Sequence, residues 1–175
     1  MQIQKHHLTE HVKLLQKVAL CHRDTVLILK RATDSGSRPG LWDLPGGNAE
    51  WPESVSGDDM KNPHLKDIVR EVQEETGIEL DRRLLENELP IYFGTYLEAG
   101  HGIYSVIVGW QVKLKESFDP ASIALSDEHT QHAWLNPADF DEYDFGFAGE
   151  VGGFLREIVK SNERINDWKR RRITR

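Results

Sequence analysis

The chain has 175 residues, of which 38% are hydrophobic and 29% are charged, which suits one globular domain and excludes a disordered or fibrous protein. Its formal net charge of −7 argues against an extended surface for nucleic acid or an anionic membrane, because such surfaces carry an excess of basic residues. The single cysteine, Cys21, excludes an intramolecular disulfide, and no apolar stretch has the length of a signal-peptide core or a membrane span. We therefore expect a single cytoplasmic domain over residues 1–175, in which residues 1–16 and the tail 163–175 are peripheral.

The first elements predicted along the chain are extended. Residues 17–31 contain two apolar stretches around a polar tripeptide, His22 to Asp24, which is typical of a β-hairpin. A loop follows at residues 33–40. Residues 41–47, with the sequence LWDLPGG, then form a short extended piece broken by proline and glycine, whose backbone a ligand or metal could approach closely.

An amphipathic helix is predicted next, beginning at Asn62 and Pro63 and ending at Gly77. The apolar residues that recur at helical spacing and define its buried stripe are Leu65, Ile68, Val69 and Val72. The acidic residues expected together on the opposite, exposed face are Asp67, Glu71, Glu74 and Glu75.

The second half of the chain predicts more strands and two further helices. Residues 91–97 and 103–114 are rich in β-branched and aromatic residues and should pair. Residues 132–135 predict another short strand, and Asn136 followed by Pro137 has the signature of a helix start. Residues 153–162 predict a third, amphipathic helix.

The acidic helix face needs an explanation, because like charges three or four residues apart repel one another. One explanation is a solvated surface, screened by salt and by the neighbouring Arg70. The other is a site for hard divalent cations, which prefer oxygen ligands. The residues alone leave both open.

The same stretch resembles the Nudix box, G-x5-E-x7-R-E-U-x-E-E-x-G-U, where U is a bulky aliphatic residue. Gly47 and Glu53 match its first half, and residues 70–78, REVQEETGI, match its second half without a mismatch. Between the halves this chain has nine residues more than the pattern, which we interpret as an enlarged loop at 54–62 before the helix. The flanking segments also resemble the family, so the resemblance covers most of residues 17–160.

The resemblance implies an α/β fold, the Nudix α/β/α sandwich with a central mixed sheet. It implies a Mg²⁺- or Mn²⁺-dependent enzyme that cleaves a pyrophosphate bond in a nucleoside diphosphate derivative with a metal-activated water. The candidate substrates are small molecules: a nucleoside triphosphate, a nucleotide sugar such as ADP-ribose, or a dinucleoside polyphosphate. Dimers are common in the family, so a homodimer is a further expectation.

Three other functions fit the same fold. The first is a nucleotide-binding or regulatory module without catalysis, against which the intact box glutamates argue. The second is an RNA-directed decapping enzyme, against which the acidic charge argues. The third is an isoprenoid diphosphate isomerase, which needs a catalytic cysteine in a context that Cys21 lacks.

The resemblance also assigns roles to the box residues. Glu71 and Glu75 are the leading metal ligands, Glu74 is a third ligand or the base that activates water, and the backbone carbonyl of Gly46 is a further ligand. Arg70 is expected to orient a glutamate by a charge-assisted hydrogen bond.

Further site residues are expected outside the box helix. Arg31 matches a position from which some family members contact phosphate. The alternative, that it is only an exposed charge at the end of a strand, is equally open. Trp51 is the aromatic candidate for packing on a base or gating the site. Glu128 occupies a late-loop position that supplies a metal ligand or the general base in some members, and His129 and His132 are nearby alternatives. The base is expected to be either Glu74 or Glu128.

Overall fold

The computed structural model describes residues 11–50, 62–86, 88–98, 101–146 and 153–161. The strands in these ranges are β1 (Val12–His22), β2 (Thr25–Arg31), β3 (Trp42–Asp43), β4 (Tyr92–Glu98), β5 (Ile103–Lys113) and β6 (His129–Leu135). The helices are α1 (Leu65–Thr76), α2 (Arg83–Glu86) and α3 (153–161), with 3₁₀ turns at Pro120–Ser122 and Pro137–Glu142. The predicted hairpin and the predicted pairing of residues 91–97 with 103–114 are both confirmed.

One mixed sheet contains all six of these strands. β1 runs parallel to β5 along nearly its whole length, whereas the pairs β1–β2, β2–β6 and β4–β5 are antiparallel. Because β1 begins at Val12, the expectation that residues 1–16 are peripheral is wrong for residues 12–16. These residues are ordered by the parallel ladder with β5, a long-range pairing that their own polar and apolar pattern does not predict.

A segment that we call the glycine loop, residues 44–48, packs along β1. The two strands of the first hairpin are paired only at their turn, and further along β1 the backbone bonds to this loop instead. The N–H of Val18 donates to the carbonyl of Pro45, and that of Gln16 donates to the carbonyl of Gly47, each at 2.9 Å. The glycines are therefore fixed beside the middle of the sheet.

The sheet lies between two apolar layers, because the side chains of β1 and β2 alternate between its faces. On one face Val18 and Leu20 pack with Ile68 and Val72 of α1. On the other face the core contains residues from β1, β2 and α3, namely Ala19, Cys21, Val26, Ile28, Leu155, Ile158 and Val159. This arrangement confirms the α/β/α sandwich with a central mixed sheet.

The helix boundaries agree with the prediction at one end of α1 and differ at the other. Gly77 ends α1 in the left-handed conformation at φ 73°, and its N–H donates to the carbonyl of Gln73 at 2.8 Å, as predicted. Asn62, however, does not cap the helix, because it adopts φ 50° in a preceding turn and its backbone carbonyl accepts from Leu65 at 3.1 Å. α1 therefore begins at Leu65, after His64.

The other two predicted helices are present, and one of them is of a different type. Asn136 does cap the element that follows it, since its side chain accepts from the N–H of Ala138 at 3.1 Å, but that element is a 3₁₀ turn. None of the helices in the described ranges is long and apolar enough to cross a membrane.

Candidate functional site

A cavity of about 370 Å³ lies where the glycine loop, α1 and the ends of β1 and β2 meet. Its walls carry both signs of charge. The acidic residues that line it include Glu71, Glu75 and Glu128, and the basic residues include Lys17, Arg31 and Arg38. The structure thus brings two box glutamates together with two residues, Arg31 and Glu128, that are distant from them in sequence.

Glu75 is buried, contrary to the expectation that the box glutamates share one exposed face. The glycine loop covers this part of α1, and the N–H of Gly46 donates to Glu75 Oε2 at 2.7 Å. Burial raises the pKa of Glu75 to about 7, against the opposing effects of Lys17 and of the Gly46 hydrogen bond. Without a bound cation, this carboxyl is therefore only partly ionised at neutral pH.

Glu71 is half-buried and lies directly against the backbone of Gly47. A β-carbon at position 47 would come within 2.6 Å of the carboxylate carbon of Glu71, so glycine here leaves room for the Glu71 carboxylate in its present position. Burial raises the pKa of Glu71 also, although Arg70 opposes the shift. The carboxylates of Glu71 and Glu75 are thus presented to the cavity by two successive turns of one helix, as the i and i+4 spacing predicts.

Arg70 joins three carboxylates at the rim of the cavity. Its Nη1 donates to Glu74 at 2.8 Å, and its Nη2 donates to Glu71 at 2.9 Å and to Glu50 at 3.2 Å. The contact required for Arg70 to orient Glu71 is therefore present. Glu74, in contrast, is 58% exposed and does not line the cavity, so its expected role as a ligand or base stays a prediction.

The basic wall is organised around a single carboxylate, in what we call the buried charge cluster: Lys17, Arg31, Arg38 and Asp43. Asp43 Oδ2 lies 3.0 Å from Lys17 Nζ, 3.2 Å from Arg38 Nη1 and 3.6 Å from Arg31 Nη1. Burial by itself would raise the pKa of Asp43, but Lys17, Arg38 and Arg31 together lower it below its usual value. Three cations thus share one ionised carboxylate.

Lys17 uses all three of its N–H donors. Besides its ion pair with Asp43, its Nζ donates to the carbonyl of Leu44 at 3.0 Å and to that of Gly46 at 2.8 Å. The peptide groups of Gly46 are consequently held at both ends, the N–H by Glu75 and the carbonyl by Lys17.

Sequence reasoning missed Lys17, Arg38 and Asp43. A signal was present for two of them, since Lys17 directly precedes the apolar residues of the first predicted strand and Asp43 stands between Trp42 and Leu44. A charged residue at an apolar position usually has a partner. The pattern alone, however, could not identify that partner 26 residues away.

Arg31 lies in the cavity wall, where a contact with an anionic ligand is feasible. Its Nε donates to the carbonyl of Ser37 and its Nη2 donates to Ser35 Oγ, each at 2.7 Å, so it also holds the loop after β2. Trp51 and Glu53 lie outside the described residues, as do residues 54–61 of the expected insertion.

His129 is buried beside Glu75, with its Nε2 3.8 Å from Glu75 Oε1. Burial and, to a smaller extent, the positive charges of Arg31 and Lys17 together lower the pKa of His129 to about 4. The imidazole is therefore neutral at neutral pH and cannot form an ion pair with Glu75.

A divalent cation fits the acidic wall better than it fits the Gly46 carbonyl. Mg²⁺ is commonly bound through one or two carboxylates together with waters and substrate phosphates, and Glu71 and Glu75 supply two carboxylates to one cavity. Within the described ranges no group of three or more His, Cys, Asp or Glu side chains is placed to hold a metal. The Gly46 carbonyl already accepts a hydrogen bond from a buried ammonium group.

Comparison with known proteins identifies the fold. No protein-family model and no curated protein sequence matches the chain. A solved structure of the MutT protein from Methanosarcina mazei Go1 is similar with a TM-score of 0.64 at 19% identity, over 89% of this chain and 96% of that one. An Ap4A hydrolase from C. elegans is similar with a TM-score of 0.58 at 15% identity, over 89% and 98% of the two chains.

A third similar structure is the NUDIX domain of Shewanella oneidensis NrtR, which was solved in complex with ADP ribose. It matches with a TM-score of 0.56 at 16% identity, over 89% of this chain and 88% of that one. These likenesses show that the chain has the Nudix fold, and the resemblance derived from the box is confirmed at the level of the fold.

Proposed function

We propose that this protein is a Nudix hydrolase that uses Mg²⁺ or Mn²⁺ to cleave a pyrophosphate bond in a small nucleoside diphosphate derivative. The observation that carries the proposal is the convergence of Glu71, Glu75, Arg31 and Glu128 on one cavity of a Nudix fold. A solvated acidic helix face would not explain this, because Glu75 is buried and its carboxylate faces the glycine loop.

In this proposal Glu71 and Glu75 hold the cation, and Arg70 fixes the carboxylate of Glu71. The cation, when bound, would neutralise charge on the diphosphate and lower the pKa of bound water. Glu71 and Glu75 suit a hard cation because each offers carboxylate oxygens from one rigid helix to the same cavity. Gly47 makes this possible by leaving room for Glu71.

Arg31 and Glu128 line the same cavity and act there on the substrate. The Nη1 group of Arg31 is only loosely paired, at 3.6 Å from Asp43, so it can donate to a phosphate oxygen. Glu128 lines the cavity whereas Glu74 does not, which favours Glu128 as the base that accepts a proton from the attacking water.

The test is a hydrolysis assay with Mg²⁺ and a panel of nucleoside triphosphates, ADP-ribose and dinucleoside polyphosphates, with products separated by chromatography. The panel includes Ap4A, after which one similar protein is named, and ADP-ribose, with which another was solved, without assuming that either is the substrate. Glu75→Gln should lower kcat by about 100-fold or more while the circular dichroism spectrum is unchanged, because a ligand charge is lost without a change in side-chain size.

A matched control is Glu79→Gln, which alters an exposed glutamate just beyond the end of α1. It should retain the wild-type rate.

Near-normal activity of Glu75→Gln would refute the site assignment. Nucleotide binding by calorimetry without cleavage of any substrate would favour the non-catalytic module, and salt-sensitive RNA binding would favour the decapping enzyme.

A further inference from the structure

The Gly46 carbonyl, which the Nudix resemblance makes a metal ligand, has a different cation beside it in this chain. Lys17 Nζ lies 2.8 Å from that oxygen and donates a hydrogen bond to it. The Lys17 side chain is only 4% exposed, and its ammonium group is fixed by two more acceptors, the carbonyl of Leu44 and the carboxylate of Asp43. All three N–H donors of Lys17 are therefore used inside the protein.

Lys17 cannot easily give way to a metal. Rotation of the side chain towards solvent would leave the carbonyls of Leu44 and Gly46 without this donor in a buried place. If the ammonium stayed, a dication on the same oxygen would lie next to a buried positive charge that little water screens.

We infer that Lys17 is a built-in cation that takes the place of a metal ion at the Gly46 carbonyl, and that the divalent cation is confined to the side of the cavity formed by Glu71 and Glu75. This inference rests on the proposed function, because it concerns the metal of that site. Lys17 is a positioning residue, because it fixes the carbonyl of Gly46. The N–H of Gly46 in turn donates to Glu75 Oε2 at 2.7 Å. The glycine loop is thereby kept in place whether or not a metal is bound.

The test is whether Mn²⁺ is coordinated by a glycine carbonyl. Full-length protein is prepared with ¹³C at the carbonyl carbon of glycine, Mn²⁺ is added, and electron–nuclear double resonance measures the ¹³C coupling. Among the described glycines, Gly46 and Gly47 line the cavity, and the Gly47 carbonyl is used by Gln16 at 2.9 Å. Wild-type protein should bind Mn²⁺ without the strong coupling of a directly bonded carbonyl.

Lys17→Met should reverse this result. The variant frees the Gly46 carbonyl, while Asp43 keeps Arg31 and Arg38 as partners. We expect the strong ¹³C coupling to appear and Mn²⁺ to bind at least about tenfold more tightly, because a like charge is removed and a ligand is gained.

Lys13→Met is the matched control, since it removes the same charge from the same strand and cavity wall without freeing that carbonyl. It should tighten Mn²⁺ binding less than Lys17→Met does, with no ¹³C coupling. A strong glycine coupling in wild-type protein would overturn the inference and leave the proposed hydrolase intact. The absence of a strong glycine ¹³C coupling in Lys17→Met with Mn²⁺ bound would also overturn the inference. No Mn²⁺ binding by either protein would instead overturn the proposed function, and the inference with it.

Discussion

Replacing Asp43 by Asn tests the buried charge cluster, because it removes one negative charge and almost no volume. Asp43 is the carboxylate that Lys17, Arg31 and Arg38 share, at 3.0 to 3.6 Å. The Asn side chain can still accept the hydrogen bond that Leu44 N–H donates to Oδ1 at 2.8 Å. The variant therefore isolates the loss of charge from the loss of local backbone support.

The magnitude follows from the exposure of the three cations. Removing one partner of a buried ion pair costs roughly 3–5 kcal/mol, because the remaining charge is left buried without compensation. The side chains of Arg31 and Arg38 are 17% exposed and can gain some hydration, whereas that of Lys17 is 4% exposed and cannot. We therefore expect the lower end of this range, a loss of about 3 kcal/mol in the free energy of unfolding.

Urea denaturation followed by circular dichroism measures this loss. Asp81→Asn is the matched control, because Asp81 pairs with Arg83 on an exposed surface where water screens the ion pair, so its loss should change the free energy of unfolding little. In a double-mutant cycle, Lys17→Met should cost less in the Asp43→Asn background than in wild type. A loss below about 1 kcal/mol for Asp43→Asn, with an unchanged m value, would refute the view that Asp43 holds the cluster together.

Three further predictions concern the acidic wall. Gly47→Ala should lower kcat by about tenfold or more, because the new β-carbon would displace the carboxylate of Glu71. The loss of stability should be small, since only the flexible end of that side chain moves. Wild-type kinetics would contradict the close approach of Gly47 to Glu71. The pKa of Glu75 is raised to about 7 in the folded protein, so folding favours the protonated carboxyl. The metal-free protein should therefore lose about 3 kcal/mol of its free energy of unfolding as the pH rises from 4.5 to 8, because this stabilisation disappears as the pH passes through 7. Urea denaturation in EDTA measures it, and Glu75→Gln, in which nothing titrates at this position, should show a flatter profile; equal slopes for the two proteins would contradict the shift. Glu128→Gln should reduce kcat far more than Glu74→Gln in steady-state assays, since only Glu128 lines the cavity; the reverse order would assign the base to Glu74.

The local sequence predicted the elements of the fold well, because each depends on short-range chemistry. Apolar periodicity located β2, β5 and α1, Gly77 located the end of α1, and Asn136 located a cap. The box pattern also placed Glu71 and Glu75 one turn apart on the same helix. These features depend on spacing along one element, and spacing is what a sequence displays directly.

Burial at the site was decided only by the tertiary structure. Helical spacing placed Glu75 on an exposed face, but the glycine loop packs on that face. The resulting burial raises the pKa of Glu75. The start of β1 at Val12 likewise depends on β5, about 90 residues later, whose parallel ladder no local pattern specifies.

The chain by itself therefore determined which chemical groups stand on which element: the carboxylates of α1, the glycines of the loop and the basic residues of β1 and β2. The tertiary structure decided which of these groups meet. Lys17 and Asp43 become partners, and Lys17 reaches the Gly46 carbonyl, because the glycine loop bonds to β1 where β2 no longer does. Electrostatic effects depend on distance and burial in three dimensions. The charge state of the site, and which cation lies at the Gly46 carbonyl, therefore follow from the fold and not from the motif.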